Sequence, residues 1–140
     1  AVKDALPVMV KNATSKKLKS ALEDHLLETK EQIKKLKEVF KSIDVKPEEV
    51  KCDAMAGILK EGEGILEETE PGAVRDAGII AACQKVEHYE IASYGTMSSF
   101  ARLLEHKEAK KLIDEILKEK KSADKTLSEL AKTEINLEAK

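Results

Sequence analysis

Apolar residues recur along this chain at intervals of three and four, the spacing of helices with one buried face, and polar residues break the stripes near their middles. Residues 1–13 place Val2, Leu6, Met9 and Ala13 at that spacing, with Pro7 inside. An interior proline lacks the N–H and crowds the preceding turn, so it kinks a helix. The segment reads as the end of a longer first helix. Thr14 and Ser15 are placed to cap a second, whose stripe is Leu18, Leu22, His25, Thr29, Gln32 or Ile33, Leu36, Phe40 and Ile43. Asp44 to Pro47 ends it, because the residue before a proline avoids helical geometry. A shorter third helix is expected over residues 49–69, with Cys52, Met55, Leu59, Gly62 and Leu66 inward, and Pro71–Gly72 makes the next turn. The fourth, 73–104, repeats Cys83, Glu87, Glu90, Tyr94, Met97, Ala101 and Leu104. The fifth, 107–133, gives Leu112, Ile116, Glu119, Ala123, Leu127 and Leu130, and the polar tail at 133–140 is expected to fray.

Short links join the first helix to the second and the fourth to the fifth, so each pair is expected to form an antiparallel hairpin. The third helix belongs to the long connection between them. That connection lets the second and fourth helices run parallel, which predicts an all-α, ferritin-like four-helix bundle with one long crossover carrying an extra short helix. A weak internal repeat agrees. Leu18, Leu22, Leu26 and Glu28 correspond to Ala109, Ile113, Leu117 and Glu119, and Leu6, Met9 and Ala13 correspond to Tyr94, Met97 and Ala101. Two related hairpins around a pseudo-two-fold axis would produce this pattern.

Glu87, Glu90 and Glu119 stand where leucines are expected, and His25, Glu28, Thr29 and Gln32 form a polar window in the second helix. Burying one unpaired carboxylate costs several kcal/mol or neutralises it. Several converging on one another need a compensating charge. A pair of iron or manganese ions would supply it, and bundle di-metal sites use one Glu from each of two helices and a Glu-x-x-His from each of the others. Here Glu28, Glu87, Glu119, Glu90 and His25 are the candidate ligands, with Gln32, His88 and Tyr94 as supporting neighbours. Histidine is short, since Glu31 follows Glu28 by three and Ser122 follows Glu119 by three. The alternative is a metal-free acidic seam bonded to Lys, Tyr94 or water. His106 is expected at the surface, the methionines in the core, and the Lys118–Lys121 run on a solvated face.

Composition narrows the classes. The 140 residues are 37% charged with a net charge of −2, and only 3% are aromatic. No basic block displaces counterions from a nucleic acid and few rings could stack on bases. No apolar run approaches the roughly 20 residues of a membrane span. Cys52 and Cys83 have no CxxC spacing and read as two buried thiols in a reducing cytoplasm. No glycine-rich phosphate loop or nucleophile triad is present; the EGEG around Gly62 and Gly64 lies within a helical pattern.

The segment VRDAGIIAACQKVEHYEIASYGT, Val74 to Thr96, closely resembles the YciF/YciE-like bacterial stress proteins, as do KDALPVM from Lys3, HLLET from His25, KCDAMAGILKEG from Lys51 and EKKSADKTLSELA from Glu119. The resemblance covers essentially the whole chain. It implies a ferritin-like fold, a homodimer, a rubrerythrin-like metal centre and induction under stress, with no settled reaction. Glu28, Glu87, Glu90 and Glu119 match the family's acidic positions, and His25 and His88 its histidines. Leu27 and Lys30 stand where some relatives carry a Glu-x-x-His pair, and the glutamate that relatives carry in an AEKQ-like run before Ala1 is not in this sequence.

Overall fold

The computed structural model describes residues 1–140, and they form an all-helical bundle. Helix α1 spans Val2–Asn12, α2 Lys16–Ser42, α3 Asp53–Glu68, α4 Ala73–Leu103 and α5 Lys107–Leu130. A single wide π-turn at Ala131–Ile135 and the short α6, Asn136–Ala139, complete it. Contacts between helices give the directions. Along α2 from residue 15 to 25, the partner position in α4 advances from Asp76 to Glu87, so the two run parallel. Along α4 from Gln84 to Ser98, the partner in α5 falls from Asp124 to Asp114, so that pair is antiparallel. This is the predicted topology, with α3 lying in the crossover.

The expected start of α2 is present: the Ser15 hydroxyl accepts from the Leu18 N–H at 3.3 Å. A second cap comes from 61 residues away. The two carboxylate oxygens of Asp76, in the first turn of α4, accept the Thr14 and Ser15 N–H groups at 2.7 Å each. Asp76 is buried, so the α1–α2 turn is fastened to the α4 N-terminus. Helix α3 packs on α4 closely enough that a Cβ on Gly78 would stand 2.6 Å from Ile65 Cγ2. Its free carbonyls are met by Arg75, which donates to the Leu66 carbonyl at 2.9 Å and to the Thr69 carbonyl.

Helices α2 and α4 end alike. Val45 N–H donates to the Phe40 carbonyl and Asp44 N–H to Lys41, while His106 N–H donates to Ala101 and Glu105 N–H to Arg102. These are Schellman motifs, and their left-handed residues are Asp44 (φ 54°) and Glu105 (φ 59°). Glycine takes that conformation without a Cβ penalty. Glu105→Gly is therefore expected to raise unfolding stability by about 0.5–1 kcal/mol in urea denaturation.

The core divides in two. One apolar cluster joins Leu6, Met9, Leu18, Leu22, Ile79, Cys83 and Ile135; the other joins Val39, Tyr94, Ala101, Leu112, Ile113 and Ile116. Between them lies a layer of buried polar groups, His25, Thr29, Gln32, Glu87 and Lys120. The repeat is visible there, since its mates Glu28 and Glu119 both meet the Gln32 side-chain amide.

Several expectations are corrected. Helix α3 begins at Asp53, not near 49, because Cys52 acts as its N-cap, accepting from the Met55 N–H at 3.4 Å. Cys52 is thereby exposed, not buried. In α4 the inward position after Tyr94 is Ser98, and Met97 and Leu104 are exposed; a 3.6-residue period drifts off a strict 4-3 repeat. Near the end of α2 the buried residue is Val39, with Phe40 beside it only half-buried. The C-terminal tail does not fray: Ile135 is 0% exposed in the first core cluster, and the wide turn rotates it inward. Lys120 is not on a solvated face; it is 1% exposed. No helix is long and apolar enough to cross a membrane.

Candidate functional site

The polar layer is built by three helices. α2 supplies His25, Glu28, Gln32 and Lys35, α4 supplies Glu87 and Glu90, and α5 supplies Glu119 and Lys120. On α5 the buried side chains are Ala109, Leu112, Ile113, Ile116, Lys120 and Leu127, so Lys120 sits on the buried stripe itself and Glu119 beside it. Its ammonium stands 2.8 Å from Glu90 Oε2 and 3.8 Å from Glu87 Oε1. His25 Nε2 lies 2.7 Å from the same Glu87 oxygen. That contact is at charge-pairing distance, and both Glu87 oxygens and His25 Nδ1 are buried without a hydrogen bond.

About two turns further along α2, Gln32 Nε2 bridges Glu28 Oε1 at 3.4 Å and Glu119 Oε2 at 3.3 Å, and Lys35 Nζ holds Glu119 Oε1 at 2.8 Å. Burial first, then the neighbouring Glu119 charge, raises the Glu28 carboxyl above its ordinary range. Lys35 is raised chiefly by its hydrogen bond to Glu119. Tyr94 is pushed well above its usual phenol range by burial, then by Glu90 and Glu87. Each carboxylate of the layer thus meets a protein cation or an amide: Glu87 and Glu90 meet Lys120, Glu119 meets Lys35, and Glu28 meets Gln32.

Of the residues expected from sequence, the structure brings His25 to Glu87, and Glu28, Gln32 and Glu119 to one another. It sends His88 elsewhere: that ring is exposed and pairs with Asp124 at 3.0 Å. The residues that compensate the charge, Lys120 and Lys35, were not among the expected ones. A signal for Lys120 exists, since it follows Ile116 by four and precedes Leu127 by seven.

Two hollows reach this layer, and His25 lines both. One, about 30 Å³, lies among α1, α3 and α4 against Met9, Leu59, Gly62 and Cys83 and ends on His25 and Glu87; it has room for about one water. The other, about 170 Å³, is a cleft between α2 and α5 lined by Asp24, His25, Glu28, Ser122 and Thr126.

A pair of iron or manganese ions does not fit the residues as they stand. Lys120 already places a positive charge against Glu87 and Glu90, Lys35 engages Glu119, and His25 is the single imidazole in the layer. No three His, Cys, Asp or Glu side chains converge as a metal-holding group.

The thiols have opposite environments. Burial, then Glu87, pushes Cys83 up to about 12, whereas the Tyr89 hydroxyl 3.1 Å away and the Met55 N–H lower Cys52. The thiolate is the nucleophile. Iodoacetamide at pH 8 is therefore expected to label Cys52 in the native protein at least about tenfold faster than Cys83, by peptide mass spectrometry.

Comparison with known proteins agrees with this architecture. Residues 1–140 match a family model described as "Domain of unknown function (DUF892)". The chain is 43% identical over 136 residues to Protein YciF of Escherichia coli (strain K12), covering 96% of this chain and 82% of that protein. The crystal structure of the E. coli stress protein YciF superposes with a TM-score of 0.91 at 42% identity, covering 96% of this chain and 85% of that one. YcfI of Rhodopseudomonas palustris, whose description proposes a structural role, gives a TM-score of 0.88 at 40% identity over 91% of this chain and 81% of that one.

Proposed function

The chain belongs to the DUF892 family, the family of YciF-like stress proteins, and from that premise we propose that it is a non-catalytic helical module whose mid-bundle carboxylates are balanced by its own cations. One observation carries this reading: the ammonium of Lys120, 1% exposed, lies between Glu87 and Glu90. The compensation that converging carboxylates demand is supplied within the chain by Lys120 and Lys35. The structural role proposed for YcfI is in keeping with such a module.

A second reading has one observation in its favour. Neither Glu87 oxygen nor His25 Nδ1 makes a hydrogen bond in its buried place, as would hold for residues awaiting iron or manganese. Metal analysis after anaerobic loading with iron or manganese separates the two. The internal-cation reading expects far less than one ion per chain. About two ions per chain, lost in Glu87→Ala or Glu119→Ala, would overturn it in favour of a di-metal centre acting in iron or peroxide handling. Light scattering on the same samples reads the homodimer that the family resemblance implies. Glu87→Gln is expected to leave both helicity and oligomeric state unchanged.

A further inference from the structure

We infer that the cleft between α2 and α5 binds a short aliphatic diamine, its two ammonium groups held by Asp24 and Glu28 and its methylenes lying on Leu22 and Leu127. The inference rests on the internal-cation reading above, because a metal centre would claim His25 and Glu28. Its first support is uncompensated charge. Lys35 holds Glu119, and Lys120 meets Glu87 and Glu90, whereas Asp24 and Glu28 meet no lysine or arginine, and Glu28 has only the Gln32 amide at 3.4 Å. Its second, independent support is the cleft floor. His25 lines the cleft at 7% exposure, and its Nε2 is turned to Glu87 on α4, a residue outside the cleft. That leaves Nδ1 as the ring's free nitrogen, buried without a hydrogen bond. A neutral imidazole with its proton on Nε2, toward the carboxylate, can only accept at Nδ1, so the missing partner is an N–H or O–H donor.

Size and spacing choose among donors. The cleft holds about 170 Å³, roughly the liquid share of five or six waters, which suits a molecule of about six non-hydrogen atoms. Asp24 and Glu28 are four residues apart on α2, so they share one face, with Cβ atoms about 5–6 Å apart. An extended 1,4-diaminobutane spans about 6 Å between its nitrogens by ordinary bond lengths. Ala21 and Ala123 keep the gap open, since larger side chains in their places would fill it. On the opposite wall Ser122 and Thr126, also four apart, offer hydroxyl oxygens that can accept further N–H bonds.

The test is a titration of the whole chain with 1,4-diaminobutane at pH 7 and about 0.15 M salt, which screens loose surface association, followed by calorimetry and by amide NMR shifts. The expected result is one diamine per chain, with shifts centred on residues 21–28 and 122–127. Two relatives of the ligand should bind at least about tenfold more weakly: 1,2-diaminoethane, too short to span both carboxylates, and the uncharged 1,4-butanediol. Glu28→Gln removes a charge and Ala123→Leu fills the gap, and each should weaken diamine binding at least about tenfold. No saturable uptake of diamine, by a chain that takes up no iron or manganese either, overturns the site and leaves the internal-cation reading standing. About two metal ions per chain overturns that reading and the site with it. Shifts scattered over the acidic surface, equal affinity for the diol, or affinity unchanged in a folded Glu28→Gln chain overturns the site alone. If a variant does not fold, the parent chain's choice among the three ligands decides.

Discussion

Lys120→Ala is expected to lower the unfolding free energy by about 3–5 kcal/mol in urea denaturation at pH 7, because it strips the cation from one fully buried and one mostly buried carboxylate. Glu87 is fully buried and Glu90 is mostly so. In the parent chain the Lys120 ammonium meets both; in the variant Glu87 keeps only His25 and Glu90 loses its cation, so each stays charged with less compensation or takes up a proton, and either course costs free energy. The control is the double variant Lys120→Met/Glu87→Leu. Replacing both members of a buried pair by apolar groups of similar size is often neutral or stabilising, so the double variant should recover most of the loss. A Lys120→Ala cost below about 1 kcal/mol would mean that the ammonium is solvated, as an exposed pair is. That outcome would remove the basis of the proposed function.

The stripes show why the fold was more legible than the site. Helix number, boundaries to within a few residues, and the parallel course of α2 and α4 follow from hydrophobic spacing and from two short links and one long one. The position of the polar layer followed too, because Glu87 and Gln32 occupy stripe positions where an apolar residue is the cheaper choice. What failed was the assignment of charges. Glu119 was read as the inward residue and its neighbour Lys120 as solvated, although 113, 116, 120 and 127 is the better helical series. A run of Lys and Glu reads as surface by composition, and only the phase of the stripe overrules that. The tail was hidden for a related reason: Ile135 falls out of phase with Leu127 until the wide turn at Ala131–Ile135, which spends more residues on each turn, brings it back. Contacts between separate helices left no periodic mark, and Arg75 of α4 closing the end of α3 is one of them.

Asp76 is another, and replacing it carries the second large expected effect. Read within its own helix it is an acid in the first turn of α4, which interaction with the helix dipole alone values at about 0.3–1 kcal/mol. The structure adds two backbone donors, Thr14 N–H and Ser15 N–H, each 2.7 Å from a separate oxygen. Hydrogen bonds to a charged group contribute about 1.5–3 kcal/mol each, and a donor left unpaired in a buried place keeps its desolvation penalty. Asp76→Ala orphans both at the turn between α1 and α2, so the expected loss is about 3–4 kcal/mol, well beyond the dipole effect. Asp76→Asn keeps one good acceptor oxygen and should lose roughly half as much. Native-state hydrogen exchange locates the effect: the Thr14 and Ser15 amides should lose protection in Asp76→Ala while those of α5 keep theirs relative to global stability. A loss confined to about 1 kcal/mol, with both amides still protected, would show that the α1–α2 turn is held by Ser15 and apolar packing without the carboxylate from α4.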